Sequence, residues 1–195
     1  MRPHRVLRIP AALAVLAWAA ALPSAGLASP RPPAPGQAAA IEFEARVVHV
    51  ADGDTVTLLT RENRQLRVRL ASIDAPESGR SSGERGRIGQ PHAQQAKAAL
   101  SLMIKGRAVR ARCFDVDLYQ RQVCELEGPQ GDVGSAMVEA GLAWANTAAS
   151  GRYLRDPRLV QLQEAARASG RGLWSDTEPV APWIWRDQCW KQGRC

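Results

Sequence analysis

Histidine is almost absent from this 195-residue chain: His4, His49 and His92 are the whole set. His4 lies in an amino-terminal stretch that reads as a cleaved leader, so two remain. Neither a multi-histidine metal centre nor a Ser-His-Asp nucleophile can be assembled from two. The apolar run from Ala11 to Leu22 is bracketed by Pro10 and Pro23, and is short of the roughly 20 residues a bilayer span needs. No internal repeat occurs, which excludes a solenoid. Only four cysteines are present and none lies near Gly26-Leu27-Ala28, so a lipid anchor there has no attachment point.

What is present begins with Arg2, Arg5 and Arg8 ahead of the apolar run, then small residues at 26–28. A positive start, a short apolar core and a small-residue cleavage site describe a secretory signal over residues 1–28. A retained membrane anchor is the alternative; after cleavage no stable membrane association is expected. Residues 29–40, rich in Pro and Ala, read as a flexible linker. The formal charge is +7, and removing three arginines with no acids leaves +4. That favours a polyanionic partner only weakly.

The cysteines are Cys113, Cys124, Cys189 and Cys195. Four allow three pairings. Cys113 and Cys124 flank a hairpin with its turn near Leu118-Tyr119, and equal offsets place them opposite each other. Cys189 and Cys195 close a short tail loop. Zinc pairs are the alternative, but the C-x10-C and C-x5-C spacings do not match the tight pairs zinc uses. Two local disulfides are therefore expected, in a secreted or periplasmic protein.

Alternation of β-branched and polar residues predicts strands at Phe43 to Val50, Thr55 to Thr60 and Gln65 to Ile73, then Val109 to Cys113 and Arg121 to Leu126. Helices are expected from Pro91 to Gly106, from the Asp132 cap onward, and from Asp156-Pro157 to about Ser169. Trp174 is expected to pack back on the strands. His92 reads as a surface residue of the first helical turn. Three strands, a helix, two strands and two helices give an α+β class: a five-stranded Greek-key barrel of the OB-fold type with three helices.

The chemistry concentrates between Val47 and Glu77. Asp52-Gly53-Asp54 and Asp74 with Glu77 fall at strand ends, with Arg69 between them. Two carboxylates on neighbouring strand ends can hold a hard cation through oxygen, and a nearby arginine with a further glutamate suits phosphate chemistry. Bland readings stand beside each residue. Asp-Gly-Asp is commonly just a turn, Arg69 could be as exposed as Arg67, and Arg121 could merely pair with Asp115 or Asp117. The loop 78–90 carries Arg80, Arg85 and Arg87 among Gly and Ser; it reads equally as a solvated loop or as a clamp on substrate.

Four segments in order, ADGDTV at 51–56, RLASIDAPE at 69–77, Asp117-x-Tyr119-x-Arg121 and GRGLW at 170–174, resemble the staphylococcal nuclease (thermonuclease) family. The resemblance spans residues 41–175, leaving 176–195 as a Trp-rich, cysteine-containing extension whose Pro182-Trp183 and Trp185-Arg186 also look like bacterial members. It implies a calcium-dependent phosphodiesterase, a micrococcal-type endonuclease, acting on DNA and RNA and cleaving at the 5′ side. By similarity Asp54, Asp74 and the backbone carbonyl of Ala75 hold Ca2+, with Asp52 behind them. Glu77 activates water, Arg69 and Arg121 stabilise the transition state, and Tyr119 packs on a nucleotide or supports the pocket. The family glycine before the second arginine is Gln120 here, and its stacking tyrosines give way to Asn146-Thr147-Ala148-Ala149, a change that bears on nucleotide-end recognition more than on hydrolysis. A monomer is expected. The rivals are a non-catalytic nucleic-acid-binding barrel of the cell envelope and an interaction protein using the tryptophan-rich tail, whose aromatics are expected to serve packing first.

Overall fold

The computed structural model describes residues 40–79 and 87–195. The expected leader, nearly all of the linker, and Arg80 and Arg85 lie outside these described residues.

Strands β1 (Ile41–Val50), β2 (Thr55–Thr60) and β3 (Gln65–Leu70) form an antiparallel meander, with Asn63 at φ 58° turning the second into the third. Next come β4 (Ile73–Asp74), α1 (Ala93–Ile104), and the hairpin of β5 (Ala108–Val116) and β6 (Gln122–Gly128). β5 pairs with β1, and β6 runs parallel to β3, so the five longer strands close into a barrel. The remaining elements include β7 (Gly131–Asp132), α2 (Val133–Glu139), β8 (Trp144–Ala145), α3 (Ala148–Gly151), α4 (Arg158–Ala168) and α5 (Pro182–Trp185). The OB-fold class holds. The three expected helices are α1, α2 and α4, and the single turns α3 and α5 join them.

Inward residues follow the two-residue period: Ala45 and Val47, Val56 and Leu58, Val68 and Leu70, Val109, Ala111 and Cys113, Cys124 and Leu126. A bulge between Val47 and His49 inserts one residue into β1, which shifts the phase and turns Val50 inward. Helix α1 lays Ala96, Leu100 and Ile104 against this core, and α2 adds Met137 and Val138. Asp132 caps α2 as expected, accepting the Ser135 N–H at 2.6 Å. The register sets Cys113 opposite Cys124, and both local disulfides, Cys113–Cys124 and Cys189–Cys195, are formed.

Three expectations need correction. The third strand does not run through to Ile73: it stops at Leu70, because Ser72 takes φ 65° and breaks the ladder. Ile73-Asp74 then pairs with Trp144-Ala145 as a separate two-stranded sheet. Pro91 sits in the turn before α1, and His92, with φ 64°, is the residue at the helix cap. Trp174 packs with Ala166, Leu173 and Trp144 in a second small core instead of on the barrel. There the backbones of two segments nearly touch: a Cβ at Gly172 would fall 2.2 Å from the Gly141 carbonyl oxygen. The second glycine of GRGLW is thus required by close approach as well as by its φ of 55°.

Candidate active site

The Asp-Gly-Asp segment joins β1 to β2 at one mouth of the barrel. Its conformation is set locally: Ala51 N–H bonds the Thr55 carbonyl at 2.8 Å, and Asp54 N–H bonds Asp52 Oδ1 at 3.1 Å. Gly53 is needed for packing, since a Cβ there would lie 2.6 Å from Ala75 Cβ and 2.7 Å from Ala96 Cβ. The segment therefore rests directly on the Asp74-Ala75 stretch and on α1. Asp54 Oδ2 accepts the Ala75 N–H at 3.1 Å, and Oδ1 accepts the Thr55 hydroxyl at 2.9 Å.

The break at Ser72 decides where Asp74 goes. It swings Asp74 back beside Arg69, whose Nη2 donates to Asp74 Oδ1 at 2.9 Å and to the Ile73 carbonyl at 3.2 Å. The same nitrogen lies 3.4 Å from Asp54 Oδ2. One guanidinium nitrogen thus touches both aspartates, so the two acids face one hollow. Arg69 is neither exposed nor idle.

Arg121 arrives from the β5–β6 turn. Asp117 Oδ2 accepts its Nε–H at 2.7 Å, leaving Nη1 to donate to Thr55 Oγ1 at 3.1 Å. Since that hydroxyl bonds Asp54, Arg121 is one side chain removed from the acids and points at them. Gln120 takes φ 59°, the left-handed conformation a glycine would adopt freely, so the turn forms without the glycine. Tyr119 is exposed, with the Arg121 guanidinium 5.3 Å from its ring centre.

Burial governs the acids' proton affinities. Asp54 is buried, which opposes its charge, yet Arg69 and the bonds from Ala75 and Thr55 hold its carboxyl below the usual range. Burial and the neighbouring Asp54 push Asp52 up to about 7. Burial also raises Asp74 and Glu77 against the pull of nearby arginines. Glu77 thus holds a proton more readily than a free glutamate, although an arginine lies beside it.

One participant was not expected. Arg186, at the start of a π-helical turn over Arg186–Lys191, reaches back to donate from Nη2 to Asp74 Oδ2 at 2.8 Å and from Nη1 to Asp74 Oδ1 at 3.1 Å. Nη1 also donates to Glu77 Oε1. The Trp185-Arg186 pair was visible in the sequence as a bacterial feature, but nothing local links it to Glu77. Thr55 was likewise quoted within ADGDTV without a role. Arg87 stands 4.8 Å over the Trp190 ring, in contact with the tail. His92 is no bare surface residue: its ring nitrogens meet Gln95 Oε1 at 2.6 Å and Asp176 Oδ2 at 3.0 Å.

The donor set suits a hard cation. Asp54, Asp74 and Glu77 offer only oxygen, and guanidinium groups already sit between them. Among the described residues no three His, Cys, Asp or Glu side chains are arranged to enclose an ion alone, so backbone carbonyl and water oxygens would have to complete the shell.

A family model described as "Staphylococcal nuclease homologue" matches residues 67–176. An "Uncharacterized endonuclease" of Haemophilus influenzae is 38% identical over 143 residues, 73% of this chain and 72% of its own. The "Micrococcal nuclease" of Shigella flexneri is 37% identical over 158 residues, 74% of this chain and 81% of its own. "Protein ParB" of Escherichia coli is 37% identical over 194 residues, 95% of this chain and 93% of its own.

Proposed function

The chain belongs to the staphylococcal nuclease family, and on that premise we propose that it is an exported, calcium-dependent endonuclease hydrolysing phosphodiester bonds of DNA and RNA. The observation that carries this reading is the single Arg69 nitrogen lying between Asp54 and Asp74, with Arg121 reaching Asp54 through Thr55. A binding barrel has no need of such a set.

Asp54, Asp74 and the Ala75 carbonyl would hold Ca2+, with Asp52 supporting Asp54 from behind. Bound there, the ion supplies charge neutralisation at the scissile phosphate. Glu77 takes the proton from the attacking water, which enters in line with the leaving oxygen. Arg69 and Arg121 donate to the equatorial phosphate oxygens, where charge grows in the transition state; a planar fork matches that geometry. Tyr119, exposed beside Arg121, offers a ring to the adjacent nucleotide. Arg80, Arg85 and Arg87 are assigned to the phosphate backbone flanking the site.

Export rests on the pattern of residues 1–28, and the two disulfides agree with an oxidising compartment, periplasm or medium. Among the described residues no helix is long and apolar enough to cross a membrane. The mature chain, freed of the leader and with residues 29–40 as linker, is taken to act as a monomer on nucleic acid.

The test is degradation of single-stranded DNA by the parent protein with calcium, with chelator, and by Glu77→Gln. Turnover should need calcium and fall by about two to three orders of magnitude in the variant. Salt-sensitive binding without turnover, or equal rates in parent and variant, would sink the proposal.

A further inference from the structure

The acid cluster already contains a cation that belongs to the chain. Arg186 covers both oxygens of Asp74 and one of Glu77, while Arg69 shares Asp74 Oδ1. Asp74 is fully buried, so no solvent-facing lone pair remains for a newcomer. The oxygens of Asp54 are committed to Thr55, Ala75 and Arg69. A hard cation binds through direct oxygen contacts of about 2.3–2.6 Å. It cannot take Asp74 while a guanidinium of the same sign occupies both its oxygens. The two must alternate.

Arg186 is also held in place by more than its own charge. Ala181, Pro182 and Cys189 are buried. The indoles of Trp185 and Trp190 both donate to the Ile88 carbonyl, at 3.3 Å and 2.9 Å. Trp183 meets Trp144 edge-on at 5.9 Å, and Cys189–Cys195 ties off the end. Gln90 couples this strap to the acids: its amide nitrogen donates to the Val180 carbonyl and its oxygen accepts the Glu77 N–H at 3.1 Å. An arginine presented by so much packing is delivered to the carboxylates as part of the fold. Its side chain remains a third exposed, which leaves it room to swing out while the strap stays docked.

We propose that Arg186 is an internal counter-cation that fills the acid cluster until a divalent cation displaces its guanidinium from Asp74 and Glu77. The inference rests on the reading of Asp54 and Asp74 as cation ligands. Competition lowers apparent cation affinity by the fraction of molecules in which Arg186 is disengaged. It also keeps the buried acids neutralised before loading, so the site does not stand as unpaired charge.

The experiment is calorimetric titration of calcium alone into the full mature protein, comparing parent, Arg186→Gln and Arg186→Lys, with thermal melts in chelator as a folding control. Arg186→Gln should bind calcium roughly tenfold tighter than the parent, and Arg186→Lys, which keeps charge but loses the fork, should fall between. Its melting temperature in chelator should drop, and calcium should restore more of it than calcium adds to the parent. Should Arg186→Gln fail to fold, Arg186→Lys must still bind more tightly than the parent. Equal or weaker binding by the variants, with calcium-dependent turnover intact in the parent, overturns the inference and leaves the nuclease reading standing. No calcium binding by any of the three overturns both.

Discussion

Asp117 grips Arg121 by backbone and side chain together: Oδ1 accepts the Arg121 N–H at 2.9 Å and Oδ2 accepts its Nε–H at 2.7 Å. Oδ1 also takes the Tyr119 N–H at 2.9 Å. Burial opposes the Asp117 charge, but these bonds from Arg121 and Tyr119 hold its carboxyl below the ordinary range. Asp117 is thus a positioning residue. Asp117→Asn keeps the shape but loses charge and one acceptor, and nuclease kcat should fall about 10- to 100-fold with little change in KM. Asp117→Glu should recover part of the loss. Because the carboxyl is depressed, its contribution to stability is present above about pH 4 and fades as pH drops through the lowered value.

Gly53 tests how tightly the acid segment must sit. Gly53→Ala drives a methyl into Ala75 and Ala96, which should cost about 1–3 kcal/mol in denaturant unfolding. It should also weaken nuclease activity by moving Asp54 off the Ala75 amide. Ala96→Gly alone should cost about 1 kcal/mol as a mid-helix glycine. The double variant should be more stable than the sum of the two losses allows, since one methyl makes room for the other.

His92 gives a pH-dependent contribution through its pairing with Asp176. Burial opposes its protonation, but the bonds to Asp176 and Gln95 and the Asp176 charge outweigh it, so its proton affinity is raised in the folded protein. The stabilisation is therefore full below the unfolded histidine value near about 6.5 and is lost as pH rises through the raised folded value. Melting curves of parent and His92→Gln should differ most at about pH 5–6 and converge as pH rises past the raised folded value, with a maximal gap of about 0.5 kcal/mol.

The two disulfides should separate by what they hold. Cys113–Cys124 links positions 11 apart in sequence within the barrel, and replacing both with Ala should lower global stability by about 2–3 kcal/mol. Replacing Cys189 and Cys195 should act on the tail, read as faster amide exchange over residues 181–195 with a smaller effect on barrel unfolding.

The barrel was legible where residues alternate. Val56, Leu58, Val68 and Leu70 announce their strands through a two-residue period, and Asp132 and Gly106 announce helix ends, because alternation and capping are local phenomena. The bulge at Val48 and the break at Ser72 were hidden. Each is a backbone irregularity enforced by partners elsewhere, the bulge by β2 and the break by β8. Trp174 misled for a related reason, since an indole finds its partner by shape and leaves no period behind.

The candidate site divides along the same line. Asp54, Arg69, Asp74, Glu77 and Arg121 were named as a set through the ordered resemblance of their motifs to the nuclease family; taken singly, each motif reads as readily as a turn or a surface residue. That one nitrogen of Arg69 lies between two aspartates, and that Thr55 relays Arg121 to Asp54, depended on angles no motif records.

From the order of residues alone come the strand segments and the two local disulfides, because strand periodicity and hairpin symmetry act over a few residues, while the five side chains were named together through the resemblance to the nuclease family. Only the folded chain decided that Arg186 lies on Asp74 and Glu77, 112 and 109 positions away. An ion pair across that separation is set by where the tail docks on Trp144, Ile88 and Gln90, and charge attraction has no period for a sequence to display.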